Sequence, residues 1–358
     1  MIRVLTSVFL LAATSVHAAS VVNVYNWSDY IAEDTIEKFE AKTGIKVNYD
    51  VFDTNELLEA KLLAGSSGYD VVVPTGNFLE RQIQAGVFRP LDVAKLPNLV
   101  NMDAEISRIV RQHDPDNKHS VVYMWGTTGL AYDVTKITER MPDAPVGSWD
   151  MVFDPAVISK FADCGVAILE SPSDILATAK HYLGIDPASE SADDLAKAEA
   201  LLMSIRPHVR YFHASQYIND LANGDICIAV GYSGDLLQAR DRAAEANNGV
   251  EVSYVIPEEG GVVWFDLMAI PADAKNVDEA HQFINFVMDA QIAADITNYV
   301  FYANANAAST SLIDSEVTSD PGIYPSDSVK AGLFALRAHS PRYDRIMNRT
   351  WTRVKTGQ

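Results

Sequence analysis

Three short segments each set an aromatic ring beside a carboxylate: Asn26-Trp27-Ser28-Asp29-Tyr30, Gly231-Tyr232-Ser233-Gly234-Asp235 and Trp264-Phe265-Asp266. Such a pair suits an ammonium group that has lost its water. The acid neutralises the charge, while the negative face of the ring attracts the cation and covers its attached methylenes. Three pairs point to a ligand with more than one amine. A buried ammonium forfeits several kcal/mol of hydration, so each end of a diamine needs its own acid, with an apolar wall between.

Strands and helices must bring these segments together. Residues 21–25 are rich in β-branched and aromatic side chains, as a strand prefers, and Ser28 or Asp29 is suited to cap a helix beginning near Tyr30 or Ile31. Ala32, Ile36 and Phe39 fall on one helical face, Gly44 marks the stop, and residues 45–49 alternate as a second strand. A helical pattern over 56–63, a Gly-Ser-Ser-Gly break at 65–68 and the apolar run Asp70-Val71-Val72-Val73-Pro74 follow. The N-terminal part therefore reads as α/β. In open sheets of this class ligands lie beyond the carboxyl ends of strands, which is where Trp27, Asp29 and Thr75 would stand. A second α/β segment is expected from about Gly129, with strands over 166–169 and 226–230 and a helix over 235–246.

Length and composition bound the rest. Met1-Ile2-Arg3 and the apolar run 4–13 read as a secretory signal, with Val16-His17-Ala18 before a cut between Ala18 and Ala19. The run is too short to span a bilayer. Cleavage leaves about 340 residues, more than the roughly 250–300 at which one core stops growing, so two domains are expected. The formal charge of −20 becomes −21 when Arg3 leaves, which argues against a nucleic-acid partner.

Enzyme signatures are missing. Asp235 occupies the last glycine position of what would be a Gly-x-Ser-x-Gly elbow, no phosphate loop or dinucleotide turn occurs, and the eight histidines are scattered. No catalytic residue, metal or cofactor is expected.

Longer runs carry a family likeness. Tyr-Asn-Trp-Ser-Asp-Tyr at 25–30, Phe-Leu-Glu-Arg-Gln at 78–82, His-Asp-Pro-Asp-Asn-Lys at 113–118, Arg-Tyr-Phe-His at 210–213, the stretch 215–227 and Val-Phe-Tyr-Ala-Asn-Ala-Asn at 300–306 resemble the periplasmic polyamine receptors of ABC importers. The resemblance implies a two-lobed periplasmic binding protein fold of type II, with interleaved α/β domains. Lobe 1 would comprise 19–128 and 252–303, lobe 2 would comprise 129–251 and 304–358, and hinge crossings would fall near Thr128, Ser253 and Tyr302. It implies a periplasmic monomer that captures putrescine, spermidine or both by lobe closure and hands them to a membrane permease. A receptor for another cationic solute is the competing expectation, and an enzyme on the same fold is a further one.

Site residues follow by the same likeness. Asp266 would bind one terminal amine with help from Ser28 and Asp29, and Asp235 the other. Asp174 stands where the family carries a glutamate, and its shorter side chain calls for a bridging water. Asp174 is equally suited to cap a helix before Ile175, and Asp29 to cap the first helix. Trp27, Tyr232, Trp264 and Tyr302 would form the wall, with Tyr30 and Phe265 nearby. Thr75 completes the set, with Asn77 at a variable site. Tyr232 replaces a tryptophan usual in the group, whereas Trp264 is the residue of spermidine-preferring members. An exported chain with two cysteines more often pairs them, and similarly placed cysteines in the family favour a Cys164–Cys227 disulfide.

Overall fold

The computed structural model describes residues 20–358; the expected signal segment and its cleavage point lie outside them. β1 (Val21–Trp27) alternates in burial because its two faces meet different surroundings, with Val22 and Val24 turned into the core. It runs parallel to β2 (Lys46–Phe52) on one side and to β3 (Val71–Val72) on the other. The first helix is Thr35–Thr43, with Asp34 at its N-cap position and Gly44 ending it in the left-handed conformation. It thus starts later than the sequence suggested. Asp29 sits at φ 52°, a left-handed turn conformation, and caps no helix.

β4 (Ser120–Asp133) is the long strand that joins the two halves. Its first part pairs antiparallel with β9 (Val262–Ala269); its second part pairs with β7 (Ile228–Tyr232) and with β8 (Val252–Val255). β5 (Val166–Leu169) and β6 (Tyr211–His213) extend the second half in parallel beside β7. Among the described residues the order is β2-β1-β3-β9-β4-β7-β5-β6, with β8, β10 (Ala303–Asn304) and β11 (Phe334–Ala335) attached at the sides.

Hydrophobic packing divides along the same line. Trp149, Phe161, Val166, Ile228 and Leu236 belong to one core; Val22, Phe39, Phe283 and Ile296 belong to a second, and Phe52, Leu79 and Leu267 to a third on the other face of the first half. Ile313, Val317 and Ile323 pack into that third cluster, whereas Tyr343, Met347, Trp351 and Val354 join the core of the second half. The C-terminal chain thus packs first against the apolar cluster of the first half and then, through its last helix, against that of the second. Two helices, Val277–Val287 and Ala290–Val300, follow β9, and the second starts where the Asp289 carboxylate accepts the amide of Gln291. The cysteines do pair: Cys164–Cys227 has a Cα separation of 5.5 Å and ties the chain entering β5 to the chain entering β7.

Candidate functional site

A cleft of about 660 Å³ opens between the halves, and all twelve residues singled out from the sequence line it. Trp27, Ser28, Asp29 and Tyr30 leave the end of β1. Thr75 and Asn77 stand at the head of the helix Gly76–Gln84, just after β3. Tyr232 and Asp235 follow β7, and Asp174 lies in the first turn of the helix Pro172–Tyr182, just after β5. These positions are the carboxyl ends of parallel strands, where side chains from a sheet can converge on a ligand. Trp264 and Asp266 instead project from within β9. The register of β4 against β9 shifts between Val122 and Met124, and the irregularity places Asp266 opposite Met124. Phe265, on the other face of the strand, packs into the core behind.

Asp266 is 4% exposed. Thr75 Oγ1 donates to its Oδ1 at 2.7 Å and Tyr30 donates its hydroxyl to Oδ2 at 2.9 Å. Thr75 is itself fixed by Asn55, whose Nδ2 donates to Oγ1 at 2.9 Å and whose Oδ1 accepts the Thr75 amide at 3.1 Å. Burial pushes the Asp266 carboxyl up to about 7, against the two hydroxyl bonds that favour the charged form.

Asp235 has a matching arrangement. Tyr217 and Tyr302 each donate a hydroxyl to one of its oxygens at 2.7 Å, and burial pushes it up to about 6. The two glycines of its segment make this possible. A Cβ on Gly231 would lie 2.6 Å from the Tyr217 ring, and one on Gly234 would lie 2.4 Å from the Tyr302 ring. Each acid thus receives two hydroxyl bonds and retains lone pairs for another donor. No lysine or arginine lines the cleft among the described residues.

Rings form a continuous wall between the acids. Trp27 meets Tyr232 at 6.4 Å, Tyr232 meets Trp264 at 5.5 Å, Trp264 meets Tyr302 at 5.3 Å, and Tyr302 meets Tyr30 at 4.9 Å, measured between ring centroids. Edge-to-face geometry at these distances is favourable and stiff.

Other expected residues are engaged differently. Ser28 donates to Asp53 Oδ1 at 2.6 Å, and Asp29 faces Arg242 at 3.3 Å across the mouth of the cleft. Asp266 itself is held by Thr75 and Tyr30, and Ser28 and Asp29 stand beside it in the cleft lining. Asp174 is not an N-cap: Ser171 holds that place and donates to Asp174 Oδ2 at 2.6 Å, while Thr128 Oγ1 donates to Oδ1 at 2.9 Å. Burial raises the Asp174 carboxyl, opposed by those same hydroxyls.

Sequence reasoning did not single out Phe78, Asp53, Ser215 or Leu336, which also line the cleft. Phe78 and Ser215 lie within runs that carried the family likeness, so a signal was present. Leu336 had none, because it reaches the cleft only through the path of the C-terminal chain.

Comparison with known proteins adds to this geometry. The profile described as Bacterial extracellular solute-binding protein matches residues 34–325. The putrescine-binding periplasmic protein PotF of Escherichia coli strain K12 is 54% identical over 94% of this chain and 92% of its own length. The putrescine-binding periplasmic protein SpuD of Pseudomonas aeruginosa strain UCBPP-PA14 is 52% identical over the same shares. A solved Listeria monocytogenes chain named for a spermidine/putrescine ABC transporter superposes with TM-score 0.85 at 31% identity, covering 95% of this chain and 100% of its own.

Proposed function

The chain belongs to the bacterial extracellular solute-binding protein family, and we propose that it is the periplasmic receptor that captures polyamines, putrescine or spermidine, for an ABC importer. It is a binding protein and not an enzyme. One observation carries the choice of ligand class: two buried acids, Asp266 and Asp235, are oriented by hydroxyl donors and joined by a wall of rings, with no lysine or arginine among the described residues lining the cleft. A linear diammonium ion would supply the missing charge at both ends, with its methylenes against the indole and phenol faces. Cation–π contact of about 0.5–2 kcal/mol per well-placed ring favours an amine over a neutral solute of similar size.

Lobe closure delivers the ligand contacts. Asp266, Thr75, Trp27 and Tyr30 come from one half and Asp235, Tyr232 and Asp174 from the other, so the ligand gains its full set only when the halves meet. We place the hinge at Thr127–Thr128 of β4, at residues 256–261 between β8 and β9, and at residues 337–340 before the last helix, a revision of the crossing expected near Tyr302. The first lobe then holds residues up to 127, 262–336, and the second the remainder. The segment 1–18 is read as the export signal, and no described helix is long and apolar enough to cross a membrane. Closed receptor would dock on the permease.

Calorimetric titration of protein stripped of ligand by unfolding and refolding tests the reading. Putrescine, cadaverine, spermidine and spermine are the probes, with glutamate and a neutral sugar as controls. Saturable binding of at least one polyamine is expected; binding of the controls alone overturns the proposal.

A further inference from the structure

Arg81 touches none of the space a ligand would fill, yet it is joined to the cleft and to both lobes. It lies on the helix Gly76–Gln84, whose first residues carry Asn77 and Phe78 to the cleft and whose N-cap residue Thr75 holds Asp266. Its guanidinium is 4.0 Å from the centroid of the Phe78 ring. Nε and Nη2 grip the two oxygens of Glu59, on the helix Asn55–Leu63, at 2.6 Å each. Nη1 crosses to Asp344 Oδ2 at 3.3 Å. Asp344 belongs to the C-terminal helix Pro341–Thr356, which packs through Tyr343, Met347, Trp351 and Val354 into the other lobe.

The chemistry of Asp344 makes this contact matter. Its Oδ1 is buried with no hydrogen-bond partner, and the nearby His339, 3.7 Å away, is held neutral by burial, with its imidazole down at about 4. Arg81 supplies the one side-chain hydrogen bond that the Asp344 carboxylate receives among the described residues. The side chains of Arg81, Glu59 and Asp344 are 23%, 18% and 21% exposed, so solvent screens them less than it does the half-exposed Arg242–Asp29 pair at the cleft mouth. A planar fork can hold two acids on different elements, whereas an ammonium offers one point charge. The neighbouring Glu80 reinforces the junction by accepting from Arg337 at 3.2 Å and from the Ala338 amide at 3.4 Å, on the segment that leads into the last helix.

The geometry points to Arg81 as a positioning residue that latches the closed lobes through Asp344 and braces Phe78 against the bound ligand. The inference rests on the receptor reading for its ligand, although the latch itself acts on the lobes. Opening the cleft separates Arg81 from Asp344, whereas the Arg81–Glu59 grip, internal to one lobe, persists. The pair therefore slows dissociation and leaves encounter with an open cleft unaffected.

The test uses the mature chain with nitroxides at Glu37→Cys and Ala196→Cys, one exposed site in each lobe, to read interlobe distance with and without putrescine. Stopped-flow measurement supplies association and dissociation rates. Asp344→Asn is expected to cut the closed population about fivefold and speed putrescine release about tenfold, with association changed less than twofold. Arg81→Lys should do the same, Asp344→Glu should recover most of the loss, and Arg81→Lys with Asp344→Asn should add little to either change alone. An Asp344→Asn protein with native circular dichroism, an unchanged closed population and unchanged release overturns the latch, as does a wild type that never shows a closed population. Failure of the wild type to bind any amine, with the closed population still falling in the variants, would instead refute the receptor reading and leave the latch standing.

Discussion

Asp266 and Asp235 are costly residues for an empty protein. Their folded-state carboxyls stand near 7 and 6, above the roughly 3.9 of an unfolded aspartate. A raised folded value means that stability is fullest below pH about 4 for these two groups and is lost as pH rises through about 6 and then about 7. The ligand-free protein should therefore become less stable from pH 5 to 8 so far as these groups act, and thermal melts compared with the double Asp→Asn variant would read that contribution. Binding has the opposite sign. A diammonium ion needs both acids charged, so affinity should climb from pH 5.5 to 8 and flatten above, with proton release that titration in buffers of different ionisation enthalpy would detect. Asp266→Asn and Asp235→Asn should each weaken putrescine or spermidine binding at least tenfold, since truncating one partner of a buried charged pair costs about 2–5 kcal/mol. The melting temperature of the empty variants should hold or rise at pH 8. Unchanged affinity in both would remove these acids from the site. The acids and rings were legible in the sequence because the residue types are themselves the chemistry. Their hydroxyl partners Tyr30, Thr75 and Tyr302 were legible as residues but not as hydrogen bonds, and Tyr217 was not singled out at all, since only the fold brings each to its acid.

Elements explain why the short motifs work. Gly231 and Gly234 would be read from sequence as turn residues, yet each gives space for a tyrosine ring that steadies Asp235. The strand irregularity at Val122–Met124 and the alternation of β9 put Trp264 and Asp266 in the cleft and Phe265 in the core. The first helix was misplaced because Ser28 and Asp29 have capping chemistry, whereas the tertiary fold uses them in a left-handed turn at the cleft mouth. The Cys164–Cys227 bridge belongs to this scale, since it fastens the entries to neighbouring strands β5 and β7. Replacing both cysteines by serine should cost about 4 kcal/mol in the chain-entropy account, seen as a lower denaturation midpoint in urea, with ligand affinity little changed because neither cysteine lines the cleft.

The whole molecule has a two-lobed fold in which β4 pairs with strands of both halves, and its predicted behaviour is closure. Small-angle scattering should show a smaller radius of gyration when saturating putrescine or spermidine is added to stripped protein, and Asp235→Asn should reduce that change at equal ligand. A radius unaffected by a ligand that calorimetry shows to bind would remove hinge closure from the mechanism. The C-terminal chain carries the weakest local signal. Residues 313–323 carry the apolar pattern of any short helical segment, and nothing local says which of two cores receives them.

The chain by itself determined the α/β elements, the acids and the rings, because periodicity, composition and side-chain chemistry are local properties. The tertiary structure alone decided which hydroxyls hold which acid, that Asp29 faces Arg242 while Asp174 turns to Thr128, and that Arg81 meets Asp344. Each of these joins residues distant in the chain, and only packing brings such pairs within reach.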